Sequence, residues 1–379
     1  ISLPTGSRSL RKTAELDLVP KLLGPTVWPK LHELMTEGST KGPVIIEFDP
    51  TTACNFTCPE CISIGLLNKG QIKPQRVRQL LQEFSKCGVR GVIFIGGGEP
   101  LAHVSMPEPI VQAHELGMAV GLTTNGSLVN RHLSAIAECV QWTRFSIDAA
   151  TAHTFAVFRP SHVKNAFEKV ISNIELLAKI KKGKIGYSFL LLKRRDSAGE
   201  INNYEEVFEA GRLAKEIGCD YFELKPAVDF AHHLIPLSEQ DRTQILRQIE
   251  ALTELDTPNF RVIFPSSLEH LLSSRSTDQP KSYQTCPTLE LRTVVTPTGI
   301  YPCPYKRGYE ESVLASINDP FDRAWVSQER ISRSKSINPS VDCAFHCIRH
   351  DTNLFIHGLD ERGFERLPQS YTIDDDVFI

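Results

Sequence analysis

Short apolar runs recur along the first two-thirds of the chain. VIIEF (44–48, after Pro43), GVIFI (91–95), AVGLTT (119–124), WTRFSI (142–147), IGYSFLLL (185–192) and YFELK (221–225) are each too short for a helix. They are rich in β-branched or aromatic residues, which predicts strands. Between them the apolar spacing changes to a helical one. PQRVRQLLQEF (74–84) places Val77, Leu80, Leu81 and Phe84 on one face. KNAFEKVISNIELLAKI follows Ser161, a candidate N-cap, and NYEEVFEAGRLAKEIG ends at Gly218, a candidate C-cap. Strands alternating with helices predict a parallel sheet with crossover helices. About six such units fit between residue 43 and about residue 238, fewer than the eight of a closed barrel, so the predicted fold is α/β, an open, partial (β/α)6 barrel.

The pattern predicts one more helix over 239–256, after Ser238, and a further strand in NFRVIFPS (259–266). SSRSTDQPKSYQ then reads as a linker. The expected organisation is an N-terminal arm (1–42) with one short helix, VWPKLHELMTEG, a barrel (43–265) and a small C-terminal α+β domain (266–379).

Active sites of such barrels gather at the C-terminal ends of strands. The first strand here is followed by DPTTACNFTCPEC, the second by GGGEP and the third by NGS; the fourth ends in Ser146 and Asp148. Four polar or Gly-rich strand ends on one rim predict a ligand site across the barrel mouth. The net charge of −3 argues against nucleic-acid binding, and the absence of an 18-residue apolar run argues against a membrane span. The first residues lack the apolar core of a secretion signal, so a cytoplasmic location is expected.

Ten cysteines remain to be explained. Cys87, Cys139 and Cys219 stand alone beside apolar residues and read as small buried side chains. Cys54, Cys58 and Cys61 do not. Three thiols are one short of a structural zinc site, and no Cys or His occurs between 62 and 86. A zinc site with a distant fourth ligand competes with a [4Fe-4S] cluster that has one iron open.

Cx3Cx2C after the first strand of a partial barrel resembles the radical S-adenosylmethionine (radical SAM) superfamily. GGGEP resembles that family's GGE motif, SID at the fourth strand its ribose-contacting segment, and FRPSHVKNAFEKVISNI the stretch just downstream. The likeness covers roughly residues 43–226; Glu60 departs from it, standing where the family often has an aromatic residue. The resemblance implies that Cys54, Cys58 and Cys61 hold a cluster whose open iron is chelated by S-adenosylmethionine. It implies that Gly97, Gly98 and Glu99 receive the cofactor's ammonium, that Ser146 bonds the ribose and Arg159 the carboxylate, and that Asn125 and Asp148 belong to the same cradle. The implied chemistry is a 5′-deoxyadenosyl radical that abstracts hydrogen from substrate, supplied with electrons by an external flavodoxin- or ferredoxin-type reductant.

Cys286 and Cys303 bracket a predicted hairpin, LRTVVT–PTG–IYPC, and Cys343 and Cys347 are spaced to share a helix face. Spacing alone leaves zinc and iron–sulfur open for these four. After a radical SAM barrel, the set resembles the twitch form of the SPASM and twitch extensions, which implies a second, auxiliary [4Fe-4S] cluster. Arg292, Tyr305, Lys306, Arg307, Arg349, His350, Asp351 and Asn353 are candidate substrate contacts, although RHDTN equally suits a solvated helix face. Lys225, Arg349 and His350 are the candidate catalytic side chains. An arm of about 42 residues is too small for a leader-peptide module, which favours a small-molecule substrate. The leading expectation is therefore oxidation of a sugar-like or aminocyclitol metabolite, with dehydration or epimerisation as variants. A peptide or protein maturase and a non-catalytic metal scaffold are the alternatives.

Overall fold

A computed structural model describes residues 16–196, 199–273, 278–362 and 376–378. Its centre is a nine-stranded sheet. In chain order the strands are β1 (Ile45–Phe48), β2 (Gly91–Phe94), β3 (Ala119–Thr124), β4 (Trp142–Ser146), β5 (Lys184–Leu191), β6 (Lys193–Asp196), β7 (Gly199–Asn202), β8 (Tyr221–Pro226), β9 (Arg261–Ile263), β10 (Arg292–Thr296) and β11 (Gly299–Tyr301). The sheet runs β11-β10-β1-β2-β3-β4-β5-β8-β9, while β6 and β7 form a separate hairpin. Every pairing from β10 across to β9 is parallel; only β11 is antiparallel. The six predicted strands form the consecutive core of this sheet. The predicted late hairpin forms too, but its first strand continues the main sheet, pairing Ile45 with Arg292 and Phe48 with Val295.

Two apolar clusters distinguish the faces of the sheet. Ile46, Phe48, Val92, Phe94, Val120 and Leu122 point outward to the crossover helices. There Val77, Leu80, Leu81 and Phe84 of the helix Pro74–Lys86 lie buried, as their spacing predicts. Ile45, Ile93 and Trp142 point the other way, into a cluster with Val27, Leu31 and Leu34 of the N-terminal arm and Phe355, Ile356, Leu359 and Phe378 near the C-terminus. Described segments from near each end of the chain therefore plug the bottom of the barrel. Small residues make room for the plug: a Cβ on Gly121 would meet the Trp142 ring at 2.4 Å, and one on Gly91 would meet Ile45 at 2.5 Å.

Some local expectations change. The arm carries a second short helix, Val19–Leu22, before Trp28–Glu37. Ser161 does not cap the helix Ala166–Ala178; that N-cap is Asn165, at φ 49°, while Ser161 bridges to Phe56 beside the first cysteine loop. Ser238 does cap its helix, in a capping box with Asp241. Cys343 and Cys347 do not share a helix. Cys343 ends the one-turn helix Pro339–Asp342, and the chain then runs extended, with Phe345 bridged to Asp278, before the helix His350–Arg362 begins. Pairing to the neighbouring segment replaces the intrahelical bonds that i, i+4 spacing would need. Cys87, Cys139 and Cys219 are buried, as expected. Among the described residues no helix is long and apolar enough to cross a membrane.

Candidate functional site

The C-terminal ends of β1 to β5 bring the predicted motifs together. The loop carrying Cys54, Cys58 and Cys61 is fastened at several points. Asn125 Nδ2 donates to Asn55 Oδ1 at 2.9 Å, Asn55 Nδ2 donates to Ser127 Oγ at 2.8 Å, and Ser127 Oγ donates to Asn125 Oδ1 at 2.7 Å. On the other side Thr57 N donates to Pro160 O at 2.8 Å. Asn125 thus binds the cysteine loop directly. Asn55 and Ser127 lie inside the quoted motifs DPTTACNFTCPEC and NGS, although neither is named there as a site residue.

The GGGEP turn lies beneath this loop. A Cβ on Gly98 would come within 2.6 Å of Thr52 and Ala53 backbone atoms, so only glycine allows the approach. Gly97 is less confined, with its nearest neighbour at 3.5 Å, and its N–H donates to Asp49 Oδ2 at 2.9 Å. Glu99 is buried and committed to the protein. Its carboxylate accepts from Thr124 Oγ1 at 2.7 Å, Asn125 N at 2.7 Å and Leu101 N at 3.1 Å. Burial still raises its pKa to about 7.

Asp148 has φ 61°, a left-handed conformation that aims its carboxylate back under the mouth. One oxygen accepts from Leu190 N at 2.8 Å and the other pairs with Arg159 Nη2. Arg159 Nη1 in turn points to Cys58 Sγ at 3.7 Å. Burial opposes the charge on Arg159, but Asp148 and Cys58 outweigh it and raise its pKa. Ser146 is half-buried at the end of β4, and among the described residues its hydroxyl has no hydrogen-bond partner. Burial raises the Cys54 thiol to about 11 and raises Cys58. Glu60, the departure from the family pattern, lies 3.7 Å from Arg194 of β6. Arg194 also stands over the Phe158 ring.

Below the mouth, the inner face of the sheet carries charge. Residues paired in register share a face, and this face presents Glu47, Arg144, Glu223, Lys225 and Arg292. Arg292 Nε donates to Glu47 at 2.8 Å; Arg349 and Arg307 approach the same carboxylate at 3.5 Å and 3.7 Å. Burial opposes ionisation of Glu47, but the three arginines hold its pKa below the usual value. Arg307 Nε also lies 2.7 Å from Asp49, whose burial raises its pKa to about 7. Across the barrel, Glu223 contacts Arg144 and Lys225, each at 3.3 Å. Burial, assisted by Arg144, lowers Lys225 to about 8.

The late cysteines approach one another from four segments, near Cys286, Cys303, Cys343 and Cys347. Burial raises Cys286 and Cys343 to about 12, and each feels the charge of Cys303 and Cys347. Among the described residues no three Cys, His, Asp or Glu side chains converge closely enough for a single metal ion. A cluster holds its thiolates further apart, because several irons and sulfides stand between them. Asn353 Nδ2 donates to Cys286 Sγ at 3.2 Å, and Arg349 N donates to Cys347 Sγ at 3.4 Å. Arg349, Thr352 and Asn353 are buried, so RHDTN is not a solvated face. His350 separates from Arg349: it stacks on Tyr283 and its Nδ1 lies 3.0 Å from that hydroxyl. Tyr305 and Lys306 line a cavity of about 320 Å³ with His232 and Phe345.

The parallel sheet, the thiol loop above a glycine turn and the polar rim define a radical SAM domain. Residues 48–194 match the model of the radical SAM superfamily, and the chain carries a domain of that superfamily. Among characterised proteins, the AdoMet-dependent heme synthase of Methanosarcina barkeri is 28% identical over 48% of this chain, which spans about half (49%) of that relative. The mycofactocin maturase MftC of Mycobacterium ulcerans is 24% identical over 79% of each chain. The Streptococcus suis SuiB structure bound to S-adenosylmethionine shares the fold, with a TM-score of 0.59 and 15% identity over 82% of this chain and 72% of its own. So does anSMEcpe with bound AdoMet, with a TM-score of 0.56 and 17% identity over 84% and 97%.

Proposed function

We propose that the protein is a radical SAM enzyme that modifies a peptide substrate at the barrel mouth. The observation that carries the enzymatic reading is the loop of Cys54, Cys58 and Cys61, tied by Asn55 and Asn125 above a turn with no room for a Cβ at Gly96 or Gly98. A scaffold would not need its thiols suspended over a glycine turn and a free Ser146 hydroxyl. Three thiolates with no fourth suit a [4Fe-4S] cluster with an open iron. When bound, the cluster and S-adenosylmethionine supply a carbon radical able to take hydrogen from substrate.

The chain's own residues have distinct tasks in this reading. Cys54, Cys58 and Cys61 ligate iron and lose their protons on doing so, which offsets the burial that raises Cys54 and Cys58. Gly97 and Gly98 let the cofactor approach the backbone, and Ser146 offers its hydroxyl to the ribose. Arg159, oriented by Asp148, faces the thiol loop as its cation. Glu99 acts chiefly by holding the ends of β2 and β3 in place. Cys286, Cys303, Cys343 and Cys347 hold an auxiliary cluster, with Asn353 and the Arg349 backbone donating to its sulfurs. A one-electron donor of the flavodoxin or ferredoxin type supplies the reductant.

The peptide reading replaces the sugar reading. Its support is the likeness to a maturase across 79% of both chains, where the sugar reading rested on the small size of the arm. Arm size is a poor guide, because peptide recognition can reside in a separate polypeptide. Anaerobic reconstitution is expected to load about eight irons per chain, falling to about four when Cys286 and Cys303 are replaced by Ser. Reduction in the presence of S-adenosylmethionine is expected to release 5′-deoxyadenosine. Deuterium should reach that product from uniformly deuterated peptide pools; transfer from deuterated sugars instead would overturn the peptide assignment.

A further inference from the structure

Lys281 lies in the stretch that reads from sequence as a linker, yet it is only 6% exposed. Its Nζ donates to Phe345 O at 3.0 Å, to Gln279 Oε1 at 2.9 Å and to Gln279 O. All three acceptors are neutral. Among the described residues no Asp or Glu pairs with this lysine. Lysine is seldom buried unless paired, because a lone buried charge is costly.

Hydrogen bonding alone does not explain the charge. The two segments that Lys281 joins are already paired: Gln279 N donates to Ala344 O at 2.7 Å, and Asp278 bridges to Phe345. What lies beside the ammonium is the late thiol set. Phe345, whose carbonyl it binds, stands between Cys343 and Cys347, and Gln279 Oε1 also accepts from Cys347 N at 3.2 Å. Burial pushes Lys281 below the ordinary lysine value, and the charges of Cys347 and Cys343 push back. His346 and His350 also sense the lysine, which lowers their pKa values, so neither supplies a negative charge. Arg349 is a second buried cation at these thiols, but it is shared with Glu47 at 3.5 Å. Lys306 and Asp342 act on Cys343 with opposite sign.

We propose that Lys281 is a positioning residue of the auxiliary site: its ammonium is the dedicated counter-charge of the Cys286, Cys303, Cys343 and Cys347 thiolates, and it eases one-electron reduction of the cluster they hold. The proposal rests on the reading of these four cysteines as cluster ligands. Four thiolates give the loaded set a net negative charge. Reduction by the flavodoxin- or ferredoxin-type donor adds one electron more, while no bond forms or breaks and the lysine keeps its proton. A fixed positive charge in a poorly screened interior favours the more negative form.

A redox titration followed by electron paramagnetic resonance tests it, on the full chain with Cys54, Cys58 and Cys61 replaced by Ala so that a single cluster is read. This parent is expected to hold about four irons. Lys281→Gln keeps hydrogen-bond donors without the charge. It should lower the reduced-to-oxidised ratio at a fixed potential roughly tenfold, which is a midpoint about 59 mV more negative for one electron. Lys281→Arg keeps the charge and should stay near the parent midpoint. Equal midpoints in the parent and Lys281→Gln overturn the counter-charge and leave the cluster reading standing. If Lys281→Gln loses its iron, the arginine variant decides: iron and midpoint kept in Lys281→Arg support the proposal, and iron lost from both marks a structural staple and overturns it. A parent chain without iron overturns the cluster reading and the proposal together.

Discussion

Single residues hold the site by steric fit and charge. At Gly98 the neighbouring atoms are the backbone of the cysteine loop itself, at 2.4–2.6 Å from an added Cβ. Gly98→Ala is expected to displace that loop and to halve, or worse, the iron loaded at Cys54, Cys58 and Cys61. Gly97→Ala, whose Cβ would find ordinary contacts from 3.5 Å, should load iron close to the wild-type level. Colorimetric iron analysis of the two variants in parallel checks the contrast. Glu99 gives a pH prediction. Burial lifts its pKa from the ordinary 4.5 to about 7, so between these values the folded protein binds a proton that the unfolded chain has released. Its contribution to stability is fully present below pH 4.5 and is lost as pH rises through about 7. Denaturant midpoints measured across that window should fall less steeply in Glu99→Gln than in wild type. Glycine and glutamate were both visible in GGGEP, but only the packing divides their tasks: Gly98 for approach, Glu99 for bracing.

At the scale of elements, the hairpin β6–β7 accounts for Glu60. The apolar run of β5 predicts its strand, but nothing in KRRD or GEIN carries an amphipathic signal, because the hairpin stands outside the main sheet. It brings Arg194 to Glu60, and both side chains keep partial exposure. The pair is therefore worth under about 1 kcal/mol. A double-mutant cycle of Glu60→Gln and Arg194→Gln, read by thermal melting, should give a coupling of that size that shrinks in high salt. The helix after Ser238 was legible to its cap, because Ser238 and Asp241 satisfy the helix end locally. The segment from Cys343 to Cys347 was not. Its spacing suits a helix, but its backbone pairs with Gln279 and Asp278 instead, partners distant in sequence.

Across the whole molecule the sheet is one continuous structure, from the late hairpin at one edge to β9 at the other. Arg349 ties its parts together: Nη1 donates to Pro302 O at 2.9 Å beside Cys303, Nη2 lies 3.5 Å from Glu47 of β1, and its backbone N–H donates to Cys347. Arg349→Ala removes the bond to Pro302 O and one of three arginines around Glu47, which keeps Arg292 at 2.8 Å, and is expected to lower stability by about 1.5–3 kcal/mol, measured by urea denaturation. Arg349→Lys keeps the charge but loses the second contact, and should recover part of that loss.

The order of strands and helices, the open barrel and the thiol, glycine and strand-end motifs on one rim were legible in the chain itself. Each is written in local periodicity or in residues adjacent to a strand end, and a parallel βαβ chain carries all such ends to the same side. The inner charged layer was not legible. Glu47, Arg144, Glu223, Arg292 and Arg307 come from residues 47 to 307; the first three read alone as ordinary polarity in a strand, and Arg292 and Arg307 as candidate substrate contacts, none of them as part of one layer. Only the register of the sheet places the strand-borne four on one face, and only the packing of the late segment adds Arg307, because charge balance in a buried layer depends on neighbours that sequence distance does not reveal.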